Sequence, residues 1–254
     1  MLLLSTLISV NNKQALSSSL WYDFRSMNNC YYDSFIFDLD GTLVDSIQDI
    51  ADAVNYAFDK FKLPTRPLSE FPSYLGDGSY NLIKRALKDI QLTEEGFNQV
   101  FNTYYDYYMC HFLVKTKAYD FMLEALEHAK SLGIKLFVYS NKPADIAEEV
   151  VYHCFPKDLF NKVVGIPLKA PVKPAPDVFL KATASFDIDY SRAAYFGDSG
   201  TDILTGINLN IEDIYSVLWG YKTEEFLRHF KIAPKGFLHS PKEIEVIASR
   251  TCDK

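Results

Sequence analysis

Two aspartates, Asp38 and Asp40, stand directly after the apolar run Ser34-Phe35-Ile36-Phe37 and run into Gly41-Thr42. A buried strand that ends on two acids carries them at its mouth, and open α/β sheets bind ligands at the carboxyl ends of their strands. Two carboxylates so close repel unless a cation lies between them. The pair implies a hard divalent metal, one carboxylate free to attack as a nucleophile and a second free to move a proton. Further polar clusters follow at Ser140-Asn141, at Lys173, and at Asp198-Ser199-Gly200-Thr201-Asp202. Taken singly, each has an ordinary alternative: a turn at Asp40-Gly41, a helix cap at Ser140-Asn141, a solvated lysine at Lys173, a loop at Asp198. Their force lies in falling in order on successive strand ends of one sheet.

The elements that must position them follow from periodicity. After Asp40, Ser46 with Asp49 reads as a capping-box variant. Ile47, Ile50, Ala51, Val54, Phe58 and Phe61 then recur at helical spacing until Pro64 and Pro67. Residues from about Asp45 to Lys117 read as helices without a strand. One covers Tyr80 to Leu87. Another begins at Thr93 with Phe97, Val100, Phe101, Tyr104, Tyr105 and Tyr108 as its apolar face, a stripe expected to be core. Beyond it helix and strand alternate: helix Phe121 to Leu132, strand Ile134 to Tyr139, strand Val163-Val164, helix Asp177 to Ala184, strand Ala193 to Phe196, and Ile214 to Trp219 as the last strand. Alternation of this kind predicts right-handed βαβ units, hence an α/β, doubly wound (Rossmann-like) parallel sheet with a helical insertion after its first strand. The expected division is 1–33 as an N-terminal extension outside the fold, 34–44 with 118–254 as the α/β core, and 45–117 as the helical insertion.

The 254 residues suffice for such a domain and insertion. With 48% hydrophobic and 23% charged residues the composition is that of a soluble globular chain. A net charge of −7 gives no general attraction for nucleic acid or an anionic membrane, so neither is an expected partner. An anionic substrate must then be drawn locally, by a metal and lysines. Cys30, Cys110, Cys154 and Cys252 show no paired spacing, which fits a reducing, cytoplasmic setting. Met1 to Arg25 lacks a basic residue before Lys13 and is nearly free of acids. It reads as an upstream extension with Met27 as a natural start, or, if residues 1–26 are a transit peptide, as an organellar address.

With Asp38-Leu39-Asp40-Gly41-Thr42, Ser140-Asn141, Lys173-Pro174 and Gly197-Asp198-Ser199-Gly200-Thr201-Asp202 in place, the chain resembles the haloacid dehalogenase-like phosphatases. The likeness covers nearly all of Phe35 to Trp219. It implies that the insertion is a cap domain and that Mg²⁺ is bound by Asp38, the Asp40 carbonyl and Asp198, with Asp202 orienting the site. It also implies that Asp38 forms an aspartyl-phosphate and that Lys173 neutralises the transferring phosphoryl group. Ser140 and Asn141 then bind phosphate, Asp40 protonates the leaving alkoxide, and Thr42 positions Asp40. Lys142 has no role that its place beside Asn141 decides.

An acid at Asp40 separates the chain from the dehalogenase and phosphonatase branches. Within the insertion, Gly76-Asp77-Gly78 followed by Leu82, Arg85, Ala86 and Leu87 is similar to the glycine loop and helix of phosphoglycolate phosphatases, as are Val172-Lys173-Pro174-Ala175-Pro176 and Leu218-Trp219-Gly220-Tyr221. Gly76 and Gly78 would let the backbone approach a small substrate. The chain departs from that pattern after Asp202, where the usual small residues are missing, and at Ala118-Tyr119-Asp120, which lacks a Pro-Gly pair. The expected activity is Mg²⁺-dependent hydrolysis of a small phosphorylated metabolite, foremost 2-phosphoglycolate. Arg66, Lys84 and Arg85 are candidate cations for its carboxylate. Alternatives are a β-phosphoglucomutase-like transfer, a pyrophosphatase, a nucleotidase, or a non-catalytic phosphate-binding protein. Oligomeric state is left open.

Overall fold

A computed structural model describes residues 31–167, 169–229 and 232–251. Its centre is a six-stranded sheet in the order β5-β4-β1-β6-β7-β8. The strands are β1 (Ser34–Phe37), β4 (Lys135–Pro143), β5 (Lys162–Ile166), β6 (Ala193–Gly197), β7 (Asp213–Val217) and β8 (Gly236–Leu238). Every pairing among them is parallel. The chain builds outward from β1 through β4 to β5, then crosses back to β6 on the other flank. The order therefore reverses around β1, and a crevice opens there at the carboxyl ends.

The middles of the central strands are apolar because both faces are covered. Period 2 still sorts its side chains. Phe35, Phe37, Leu136, Val138, Ala194 and Phe196 join the core on one face. Ile36, Phe137, Tyr139 and Tyr195 join that on the other.

The helices between β1 and β4 include Ile47–Lys60, Phe71–Tyr74, Gly78–Leu87 and Glu94–His111. Their buried residues, among them Val54, Phe58, Phe71, Leu82, Val100 and Tyr104, belong to the same core cluster as Phe35 and Phe37. Thr93 caps the last of these helices by accepting from the Gly96 amide at 3.1 Å, as its position predicts.

Five expectations are corrected. The extension does not reach residue 33: Tyr32 is 1% exposed and packs in the main core, and the Tyr31 amide bonds the Arg250 carbonyl. What is expected of residues 1–30, including the transit-peptide reading and Met27 as a start, lies outside the described residues. The insertion is not strand-free at its roots, because β2 (Val44–Asp45) and β3 (Lys117–Ala118) pair antiparallel where the chain leaves and returns. A two-residue ladder is too short to leave a periodic signal. The strand at Ile214 is not the last, since β8 follows at the sheet edge with only three residues. β4 does not stop at Tyr139 but runs through Ser140, Asn141 and Lys142, with an irregular register before Pro143. Lastly, Ser46 makes no cap bond to its helix. Its hydroxyl donates instead to Asp40 Oδ1 at 2.5 Å, a charged acceptor stronger than a backbone partner. Asp49 turns to the Lys115 and Thr116 amides.

Candidate active site

The register sets Phe37 of β1 beside Val138 of β4 and Phe196 of β6. The next residues along these strands therefore emerge together. A cavity at this point is lined by Asp38, Asp40, Ser140, Asn141, Lys173 and Asp198, all expected from sequence. It is small, about 80 Å³.

Lys173 is the inner hub, 3% exposed. Its ammonium donates to Asp38 Oδ1 at 2.6 Å, to Asp202 Oδ1 at 2.7 Å and to the Tyr139 carbonyl at 3.1 Å. Its own amide donates to Asn141 Oδ1 at 2.7 Å, which ties the β4 end to the lysine loop. Asn141 Nδ2 reaches the other way and donates to the Gly76 carbonyl at 3.1 Å. Asp202 does not line the cavity. Its Oδ2 accepts the Ser199 amide at 3.0 Å and the Ser199 hydroxyl at 2.5 Å, closing a capping box at the helix Gly200–Asn208.

Asp198 is held from outside, its Oδ2 accepting the Tyr221 amide at 2.7 Å. Gly41 makes this possible. Its φ is +87°, and a Cβ there would lie 2.5 Å from Asp198 Oδ2, so only glycine fits the turn. Asp40 is bound by Lys142, whose Nζ donates to both carboxylate oxygens at 2.7 and 2.9 Å.

Desolvation dominates the electrostatics. Burial pushes the Asp38 carboxyl up to about 7, with Asp202 adding to the rise and Lys173 opposing it. Burial likewise raises Asp198 well above the carboxylate range, reinforced by Asp202 and Asp38. The lysine responds in the opposite sense: Lys173 loses by burial but is held well above its ordinary value by Asp202 and Asp38.

These residues fit a divalent cation. One carboxylate oxygen each from Asp38, Asp198 and Asp202 lie within 4.8 Å of one another, and all three residues are buried. Four acids here, Asp38, Asp40, Asp198 and Asp202, face two ion-pairing ammoniums, Lys142 and Lys173, while Lys222 lines the cavity without pairing to any of them. Even with Lys222 counted the acids exceed the ammoniums by one charge, on hard oxygen donors. Metal and protons must then compete. Because the folded-state pKa of Asp38 and Asp198 lies above the unfolded one near ~4, the folded form holds protons that the unfolded chain releases. Without metal, stability falls as pH rises from about 4 towards 7 and beyond. Added Mg²⁺ is expected to raise Tm more at pH 8 than at pH 5.5 by scanning calorimetry. Equal shifts at both would mean that these acids do not compete for the ion.

The remaining expected residues divide. Gly76 and Gly78 line the cavity, both with positive φ and no atom within 4 Å of an added Cβ. Thr42, expected to position Asp40 and to contribute to substrate binding, does not line the cavity. It is wholly buried and its Oγ1 has no partner; its amide donates to the Leu39 carbonyl at 3.2 Å and its carbonyl accepts from Trp219 Nε1 at 2.9 Å. The turn at Gly41 points it into the core. Nor do Arg66, Lys84 and Arg85 line the cavity. Arg66 is spent on the Ala86 and Leu87 carbonyls, Arg85 on Asp77 and the Tyr74 carbonyl, and Lys84 is exposed.

Sequence reasoning left out Lys142, Tyr221 and Lys222 as site residues, all of which line the cavity. Lys142 carried a signal: two residues beyond Ser140 on a continuing strand, it shares that residue's side. Tyr104, Tyr105 and Tyr108, expected as core, also form cavity wall. Tyr104 and Tyr108 are both buried, and the Tyr108 hydroxyl has no protein partner.

The haloacid dehalogenase-like hydrolase family model matches residues 35–215. The chain is 31% identical over 199 residues to the phosphoglycolate phosphatase of Psychrobacter arcticus, covering 76% of this chain and 86% of that one. It is 34% identical over 179 residues to the phosphoglycolate phosphatase of Haemophilus influenzae Rd, covering 67% and 79%. Among solved structures, a predicted phosphoglycolate phosphatase of Haemophilus somnus superposes with a TM-score of 0.75 at 26% identity, over 85% and 98% of the two chains. CbbY of Rhodobacter sphaeroides, solved with phosphate, shares the fold at 19% identity and a TM-score of 0.67, over 84% and 96%. With a six-stranded parallel sheet and buried acids at its switch point, the chain belongs to the haloacid dehalogenase-like hydrolases. It is a phosphatase, in the phosphoglycolate phosphatase-like branch of that family. No described helix is long and apolar enough to cross a membrane.

Proposed function

We propose that this phosphatase is a Mg²⁺-dependent phosphomonoester hydrolase that works through an aspartyl-phosphate at Asp38, with 2-phosphoglycolate as its foremost substrate. The observation that carries the reading is the convergence of Asp38, Asp40, Ser140, Asn141, Lys173 and Asp198 on one cavity at the switch point of the sheet. Asp38, Asp198 and the Asp40 carbonyl would hold the ion, with Asp202 locking Lys173 and the Ser199 turn behind them. When bound, the metal screens the charge of the phosphoryl group and keeps the buried acids ionised.

The Asp38 carboxylate attacks phosphorus, and the bond from phosphorus to the ester oxygen breaks. Lys173 keeps that carboxylate charged and offsets charge on the transferring group. Ser140 and the Asn141 amide hold phosphate oxygens. Asp40 gives its proton to the departing alkoxide, then takes one from the water that hydrolyses the acyl phosphate. Lys142 and Ser46 fix the Asp40 carboxylate for both transfers.

The helical insertion acts as the cap in this reading. It supplies Leu75, Gly76, Gly78, Leu82, Tyr104, Tyr105 and Tyr108 to the cavity and excludes bulk water during transfer. The cavity volume supports a small ester. The unpaired spacing of the cysteines supports a cytoplasmic setting in this reading.

The test is a panel of phosphorylated metabolites assayed with Mg²⁺ and with EDTA. Release of inorganic phosphate from 2-phosphoglycolate is expected with Mg²⁺ and lost with EDTA. Isomerised sugar phosphate without phosphate release would favour a mutase. Preference for pyrophosphate or a nucleotide would replace the substrate, and silence across the panel would leave a phosphate-binding protein.

A further inference from the structure

Three ammoniums line the cavity. Two are committed: Lys173 to Asp38 and Asp202, and Lys142 to Asp40. The third, Lys222, has no carboxylate within ion-pair distance among the described residues. Among the described residues its hydrogen bond goes to the carbonyl of Pro72, in the helical insertion, and its ammonium stands 5.5 Å from the centre of the Phe226 ring. A lysine ammonium carries three donors, and a single neutral carbonyl leaves two unused.

The residue is half-buried, so it has also lost water. Burial pulls its pKa down, with Arg85 adding to the fall and Asp198 and Asp77 opposing it. A partly desolvated cation with no carboxylate at ion-pair distance favours an anion beside it, even though Asp198 lines the same cavity. The insertion offers no competitor. Its side chains at the cavity are Leu75, Leu82, Ser79 and the tyrosines, besides Ile50, and none is charged.

Position adds to charge. Lys222 follows Tyr221, whose amide is fixed on Asp198. The ammonium is thus tied to the same loop that holds a carboxylate of the phosphoryl site. A phosphate bound at the strand ends would leave its other substituent between that loop and the insertion.

We infer that Lys222 binds a second negative charge on the substrate, a carboxylate carried by the leaving group, and so selects carboxylate-bearing phosphomonoesters over neutral ones. The inference rests on the phosphatase reading above and deepens it. The cation that reads the leaving group comes from the core domain, not from the insertion.

The experiment compares 2-phosphoglycolate with 2-hydroxyethyl phosphate, a neutral ester of nearly the same shape. Both are assayed with Mg²⁺ on the full chain and on its Lys222→Met and Lys222→Arg variants. Lys222→Met is expected to lose about 10- to 100-fold in kcat/KM on 2-phosphoglycolate, chiefly through KM, and less than about threefold on the neutral ester. Lys222→Arg should recover most of the loss. Equal losses on the two esters would mean that Lys222 only anchors the insertion through Pro72, and would overturn the inference. A parent enzyme that hydrolyses the neutral ester as well as the carboxylate one would overturn it too, with the phosphatase reading intact. Hydrolysis of neither ester would remove both.

Discussion

Asp38→Asn is expected to fold with a metal-free Tm no lower than the parent's, to bind substrate and Mg²⁺, and to lose at least ~10³-fold in kcat, the scale seen when a nucleophile is removed from an enzyme that acts through a covalent intermediate. Lys173 donates to Asp38 Oδ1, and an asparagine carbonyl can accept the same bond, so the buried lysine keeps that partner. The substitution also takes one negative charge from the cluster of Asp38, Asp198 and Asp202, which relieves repulsion where metal is absent. What it removes is the carboxylate that attacks phosphorus in the proposed mechanism. Rapid-quench assays for a labelled acyl phosphate should find it in the parent protein and not in the variant. Calorimetric titration should still show 2-phosphoglycolate binding. Undiminished hydrolysis by Asp38→Asn would refute the assigned nucleophile.

Lys173→Met should cost both activity and stability. Methionine fills similar space but strands two buried carboxylates, since Lys173 bridges Asp38 and Asp202 at 2.6 and 2.7 Å. Removing one partner of a buried ionic cluster costs about 3–5 kcal/mol, because the remaining charge is left without compensation. Denaturant unfolding without metal should show that loss at pH 8 and a smaller one at pH 5.5, where the acids can protonate. Mg²⁺ should return part of it. Turnover should fall by about 10²-fold or more even with metal saturating, as the transferring phosphoryl group loses a preorganised cation. A variant as stable as the parent at pH 8 would mean that the acids are neutral in the folded protein and that the lysine is not their counter-charge.

Much of this site was legible before folding because its residues lie at strand ends, and strand ends can be read from local patterns. Phe35-Ile36-Phe37 and Ala193 to Phe196 are apolar runs too short for helices, and each stops at an acid or at Gly-Asp. Parallel pairing then carries the tips to one edge. Lys142 escaped because β4 continues past an irregularity that period alone cannot foresee. Ser46 was read as a cap because local rules know only its own helix. The structure offers it Asp40, six residues back but across a tight turn. Thr42 was read from its place beside Asp40, yet the positive φ at Gly41 turns the chain and buries it.

By itself the sequence determined the alternation of the main strands and helices and the four polar clusters at their ends, and those clusters carry the resemblance to the family. The alternation and the clusters are consequences of short-range periodicity and of one-dimensional spacing. Only the tertiary structure decided which cations are free. Arg66, Lys84 and Arg85 looked available in the insertion, and two of them are consumed by carbonyls and an aspartate while the third faces solvent. Lys222, some 180 residues beyond Asp38, lines the cavity with no acid at ion-pair distance among the described residues. Whether a charge is paired depends on which distant groups packing brings within about 4 Å, and no local pattern records that distance.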